Sequence, residues 1–169
     1  GALYNSPSHR PRRLPSPVTV PPRRVLVLTP LAHEQRPLAH ALQDLTSVRV
    51  VCTGPGPLAV RRALDAQLHQ DPAPHALLVI LAGVAGALTT LPDLVPTVTR
   101  VVEANGKRRD VPFPARDAGA QVALLGLDEP AYTPPEKRRW HEQSGAALVD
   151  TECHELARFC AEQSIAWSV

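Results

Sequence analysis

The chain has 169 residues, a formal net charge of +2, and 44% hydrophobic against 20% charged residues, which suits one domain with its own core. No apolar run approaches the ~20 residues that a membrane span needs, and no signal-peptide stretch follows the N-terminal arginines. Three cysteines, Cys52, Cys153 and Cys160, have neither metal-ligand spacing nor the density of a disulfide scaffold, so a soluble, cytoplasmic protein is expected.

Six of the 19 prolines fall in residues 1–22, and residues 1–24 hold five arginines and no acid. This stretch is predicted to be a flexible tail, because such a composition buries too little surface to fold. No aromatic residues are interleaved with its arginines, so nucleic-acid binding is the weaker reading. The remainder, 23–169, reads as one domain.

Arg24-Val-Leu-Val-Leu-Thr29 is a continuous apolar run, the mark of a strand buried on both faces. A helix is predicted over 33–44 with Leu38, Leu42 and Leu45 as its apolar stripe. A second strand is predicted over Ser47–Thr53, closed by the turn Gly54-Pro-Gly-Pro57. A helix over 58–70 carries Leu58, Arg61, Ala63, Leu64 and Leu68 at helical spacing. His75–Leu81 is a third buried strand and leads into Ala82-Gly-Val-Ala-Gly-Ala87. Three strand–helix alternations in about 60 residues predict parallel βαβ units and an α/β sheet.

Longer strands are predicted over Val95–Glu103 and Gly119–Leu125, with Asn105-Gly106 as a turn between strands. Thr133 and Pro134 open a helix over Pro134–Ser144. A last helix covers about 150–163, where Cys153 and Cys160 share a face as small buried residues, and Ser164–Val169 is a final strand.

Four segments in order carry a resemblance: Val25-Leu-Val-Leu-Thr-Pro-Leu-Ala-His-Glu34, Thr53-Gly-Pro-Gly-Pro57, Leu81-Ala-Gly-Val-Ala-Gly-Ala-Leu88 and Gly145-Ala-Ala-Leu-Val-Asp-Thr-Glu152. Together they resemble the nucleoside phosphorylase/nucleosidase superfamily, nearest the methylthioadenosine/S-adenosylhomocysteine nucleosidases. The resemblance covers residues 24–169. It implies a three-layer phosphorylase-like α/β fold, with a central mixed twisted sheet flanked by helices and shortened at its C-terminal end. It also implies a purine nucleoside ligand, no cofactor and a homo-oligomer.

By the same resemblance, Glu34 matches the carboxylate that activates water, and Glu152 the one that grips the ribose hydroxyls. Gly83, Val84, Gly86 and Thr151 fall at substrate-binding positions. The chemistry needs such groups, because N-glycosidic cleavage builds an oxocarbenium-like sugar that must be held and attacked. Plainer readings stand beside each: Glu34 as a helix N-terminal acid, Glu152 on a solvated helix face, and Gly83 and Gly86 as chain-turning residues.

The sequence departs from the family pattern in several places. Val84 stands where serine is usual, Thr151 where methionine is usual, and Pro92-Asp93 where Gly-Asp is usual. The family's proton-donating aspartate, expected just after the strand Ile165–Val169, has no counterpart in the chain. Thr29–Arg36 lacks the glycine-then-arginine loop of the phosphorylases, and Arg36 is read as solvent-facing, so water is the favoured nucleophile. Hydrolysis of a purine nucleoside is therefore the leading expectation. A catalytically degenerate nucleoside-binding or protein-interaction module, or a phosphate-dependent phosphorylase, is the alternative. His33, the other scattered histidines, Lys107-Arg108-Arg109 and Lys137-Arg138-Arg139 read as surface residues, with no metal site among them.

Overall fold

A computed structural model of the chain describes residues 24–70, 76–91, 95–114 and 120–169. The expected tail, His75, Pro92-Asp93 and Gly119 lie outside these residues. The opening apolar run forms β1 (Arg24–Thr29), flanked in parallel by β2 (Val48–Cys52) and β3 (Leu77–Leu81). Cover on both faces explains its unbroken apolar character, since Leu26, Val27 and Leu28 are all buried. β9 (Ala166–Ser168) pairs in parallel with the outer side of β3, giving the order β2-β1-β3-β9.

A second sheet has the order β4 (Gly86–Ala87), β8 (Leu148–Asp150), β7 (Gln121–Gly126), β5 (Thr97–Glu103) and β6 (Arg108–Asp110). Its three inner strands are parallel and its two edges antiparallel. The expected α/β architecture is present, with the strands divided between a parallel sheet and a mixed one. Asn105-Gly106 turns β5 into the short β6, which the sequence reading had not separated. Gly106 takes φ +84° there, a conformation that glycine adopts without strain.

The helices are α1 (Ala32–Ala41), α2 (Pro57–His69), α3 (Pro134–Ser144) and α4 (Cys153–Gln163). α3 starts as predicted: Thr133 Oγ1 accepts the Glu136 N–H at 3.4 Å, and Glu136 Oε2 accepts the Thr133 N–H at 2.9 Å. α4 packs on β3 and β9 of one sheet, β5 and β7 of the other, and on α2. It joins both sheets through one core that includes Leu156, Phe159 and Cys160. A second cluster, built on Val102, Leu125 and Val149, is covered by Trp140 of α3.

Four expectations about packing are corrected. α1 has no buried residue and ends at Ala41, and Leu45 is 51% exposed, so the leucine stripe is only half used. On α2 the inward residues are Val60 and Leu64, whereas Leu58 is 71% exposed. The last helix begins at Cys153 because Leu148–Asp150 is taken up in pairing with β7. Arg109 is half-buried and ion-paired with Glu103 instead of standing free in solvent.

α4 also buries a carboxylate, Glu155, which the sequence reading had not singled out. Arg61 of α2 meets it at 3.0 Å and also stacks on the Phe159 ring at 5.0 Å, while Arg158 pairs with the other oxygen. Paired and hydrogen-bonded, the charge is tolerated inside the fold. Cys153 and Cys160 lie buried on α4 as small packing residues. Burial pushes the Cys160 thiol up to about 12 and that of Cys153 well above its ordinary value, so neither is a thiolate nucleophile at neutral pH.

Candidate active site

In the first sheet, the chain leaves β1 towards β2 on one side and returns to β3 on the other. The loops after β1 and β3 therefore diverge at the C-terminal strand ends, where open α/β sheets form their ligand crevices. Here the two loops are tied together by Glu34. Its Oε1 accepts the Val84 N–H of the β3 loop at 2.9 Å, and its Oε2 accepts the Leu31 N–H at 3.0 Å. Glu34 thus caps the first turn of α1, as its plainer reading held, and also spans the crevice. The approach depends on Gly83: a Cβ there would lie 3.1 Å from Glu34 Oε1 and 3.3 Å from Pro30.

A third strand end, that of β8, supplies the second group. Asp150 Oδ1 accepts the Glu152 N–H at 3.1 Å and the Cys153 N–H at 2.9 Å, holding the N-terminus of α4. Glu152 is 5% exposed, so it does not lie on a solvated helix face. Its Oε1 accepts the Gly56 N–H at 2.6 Å and the Thr151 hydroxyl at 2.7 Å. Its Oε2 accepts only the longer Thr151 N–H, at 3.3 Å, among the described residues. That oxygen keeps acceptor capacity for a diol. Burial raises the Asp150 carboxyl above the ordinary aspartate range.

Two cavities meet at these groups. The smaller, about 240 Å³, is lined by Glu34, Val84, Gly86, Thr151, Asp150 and Glu152 together with apolar neighbours. The larger, about 700 Å³, runs between the sheets past Gly83, Val84, Leu124, Phe113 and Val169. Asp150 and Glu152 line both. All six residues singled out from the sequence therefore stand on one connected crevice. No arginine or lysine is among the described residues lining either cavity. His33 and Arg36 are exposed on α1 and line neither.

Two contributors were missed in the sequence. Asp150 carried a local signal, an acid at a strand end just before a helix, which is an N-cap pattern. The Gly56 N–H carried none, because its partner Glu152 is 96 residues away. No group of three or more His, Cys, Asp or Glu side chains among the described residues is arranged to hold a metal ion.

No protein-family model matches the chain, and no curated protein matches its sequence. Solved structures do match. A 5′-methylthioadenosine/S-adenosylhomocysteine nucleosidase of Helicobacter pylori, in complex with a pyrrolidine-based ligand, superposes with a TM-score of 0.69 at 11% identity, over 88% of this chain and 83% of the other. A mutant of that nucleosidase with 5′-methylthioadenosine in its active site gives 0.66 at 13% identity, over 86% and 82%. A mutant of the futalosine hydrolase of the same organism gives 0.68 at 11%, over 86% of both chains.

The fold is that of these nucleosidases and of the futalosine hydrolase.

Within this nucleosidase fold, the departures noted in the sequence have structural consequences. Val84 is 84% exposed, so its side chain lends the crevice mouth an apolar surface where serine would lend a hydroxyl. The main-chain N–H of Val84 nevertheless performs the contact with Glu34. Thr151 turns its hydroxyl onto Glu152, fixing that carboxylate from one side.

Proposed function

We propose that the chain binds a purine nucleoside in this crevice and hydrolyses its N-glycosidic bond. The observation that carries the proposal is the pair of carboxylates, Glu34 and Glu152, facing one crevice at the strand ends of a nucleosidase fold. Glu152 Oε2 would take the ribose hydroxyls and hold the sugar. Glu34, fixed by two main-chain N–H groups, would accept the proton of a water placed below the anomeric carbon. The apolar walls of the larger cavity would receive the base. Methylthioadenosine in the active site of a structural neighbour supports a purine nucleoside as ligand.

Water is favoured over phosphate because phosphate needs cationic and N–H donors, and the described lining holds no arginine or lysine. We also propose a cytoplasmic homo-oligomer. Three free cysteines support a reducing compartment, and exposed Val84, Val95 and Phe113 around the crevice support a covering subunit. No helix among the described residues is long and apolar enough to cross a membrane.

The test is chromatographic release of free base from methylthioadenosine, S-adenosylhomocysteine, adenosine, inosine and futalosine, with and without phosphate. Release in phosphate-free buffer is expected. Release only with phosphate would make the protein a phosphorylase, and binding with no release would make it a binding module.

A further inference from the structure

Glu152 owes its setting to two helices. It is the N-cap residue of α4, and its Oε1 accepts the N–H of Gly56, the N-cap residue of α2, at 2.6 Å. Oε2 has only the longer Thr151 contact among the described residues. Which oxygen stays free therefore depends on where α2 sits against α4. A slip of about 1 Å between the helices would break the Gly56 bond and let the carboxylate turn.

About one turn further along, the same two helices are joined again. Arg61 Nη1 of α2 meets Glu155 Oε1 of α4 at 3.0 Å, and the guanidinium lies over the Phe159 ring at 5.0 Å. Arg158, also on α4, takes the other Glu155 oxygen. Glu155 is 2% exposed, and neither it nor Arg61 lines the crevice. Cohesion alone does not call for such a contact. Desolvation offsets much of the attraction of a buried ion pair, and apolar residues of similar volume would hold the helices as firmly. What the ionic contact adds is direction, because a planar guanidinium that must meet a carboxylate and also lie on a ring admits one register of α2 against α4. We propose that Arg61 and Glu155 are positioning residues for substrate binding: their contact sets the helix register that keeps Gly56 on Glu152 Oε1 and leaves Oε2 to the ribose. This deepens the hydrolase reading above and rests on it.

The test is a mutant cycle read in KM and kcat, on the nucleoside that the wild type cleaves fastest among methylthioadenosine, adenosine and inosine. Arg61→Met together with Glu155→Leu exchanges the ionic contact for an apolar one and strands no buried charge. Urea unfolding should show this pair folded, with stability near that of the wild type. Its KM is expected to rise about 10–100-fold, the worth of a hydrogen bond to a charged group, with kcat within about threefold. Glu152→Ala should raise KM at least as much. Combining all three substitutions should add no more than about threefold to Glu152→Ala alone, because Arg61 and Glu155 act through Glu152. If the apolar pair does not fold, Arg61→Lys carries the same comparison: it keeps Glu155 paired but lacks the planar fork, and its KM should still rise severalfold.

A wild-type KM in the folded variant would overturn the proposal. Factors that multiply in the combined variant would overturn it too, since the ionic contact would then act independently of Glu152. A wild type that cleaves none of the three nucleosides would instead refute the hydrolase reading. The register is then decided by a crystal structure of the folded variant. A Gly56 N–H moved off Glu152 would bear out the positioning, whereas Gly56 N still within about 3.2 Å of Glu152 Oε1 would overturn it.

Discussion

Replacing Glu34 by glutamine is expected to lower kcat for base release by about 10²–10⁴-fold, the span that a positioned general base ordinarily contributes. The reason is chemical: an amide oxygen does not accept a proton from water at neutral pH. Glutamine keeps one acceptor oxygen, so one of the two bonds, to Val84 N–H or Leu31 N–H, survives and the other is lost. That loss costs about 1 kcal/mol of stability, too little to unfold a domain of this size. KM should change little, because the ribose contact is assigned to Glu152. Steady-state kinetics on a purified, folded variant check this. Retention of kcat within a factor of about three would remove Glu34 from the chemistry.

Gly126→Ala is expected to destabilise the protein by about 3 kcal/mol and to abolish activity, read by urea unfolding and by base release. Gly126 ends β7, where His154 of α4 lies directly over it. An added Cβ would stand 2.4 Å from His154 Cβ and 2.7 Å from its Nδ1. A Cβ is fixed to the helix backbone and cannot swing aside as a side-chain tip can. Relief therefore requires α4 to withdraw from β7, carrying with it Glu152 and the cap formed by Asp150. His154→Ala should not rescue the variant, since it retains the offending Cβ. A Gly126→Ala protein with wild-type stability would show that α4 is free to shift, against the tight seating described above.

The elements legible in the sequence are those whose signal is local. The apolar run 24–29 announced a two-sided strand, and Thr133-Pro134 announced the start of α3, whose cap Glu136 completes within four residues. The two-residue β4 and the three-residue β6 and β8 are too short to show a period, and missing β8 moved the predicted start of α4 too early. The α1 stripe misled because helical spacing marks which side chains share a face, not whether anything covers that face.

The site divides in the same way. Glu34 and Glu152 were found through segments that resemble a family, but what positions them is long-range. The Val84 N–H is 50 residues from Glu34, and the Gly56 N–H is 96 residues from Glu152. No pattern in a single sequence pairs such groups, because the pairing is made by the strand order and not by chain proximity.

A crystal structure of Glu34→Gln, chosen to slow turnover, with methylthioadenosine bound would test the crevice at the level of single atoms. The ribose hydroxyls are expected within hydrogen-bond distance of Glu152 Oε2. The purine should lie between the sheets in the cavity of about 700 Å³, with the residue-34 side chain facing C1′. A nucleoside seated away from Glu152, or with its anomeric carbon turned from residue 34, would contradict the roles proposed for the two carboxylates.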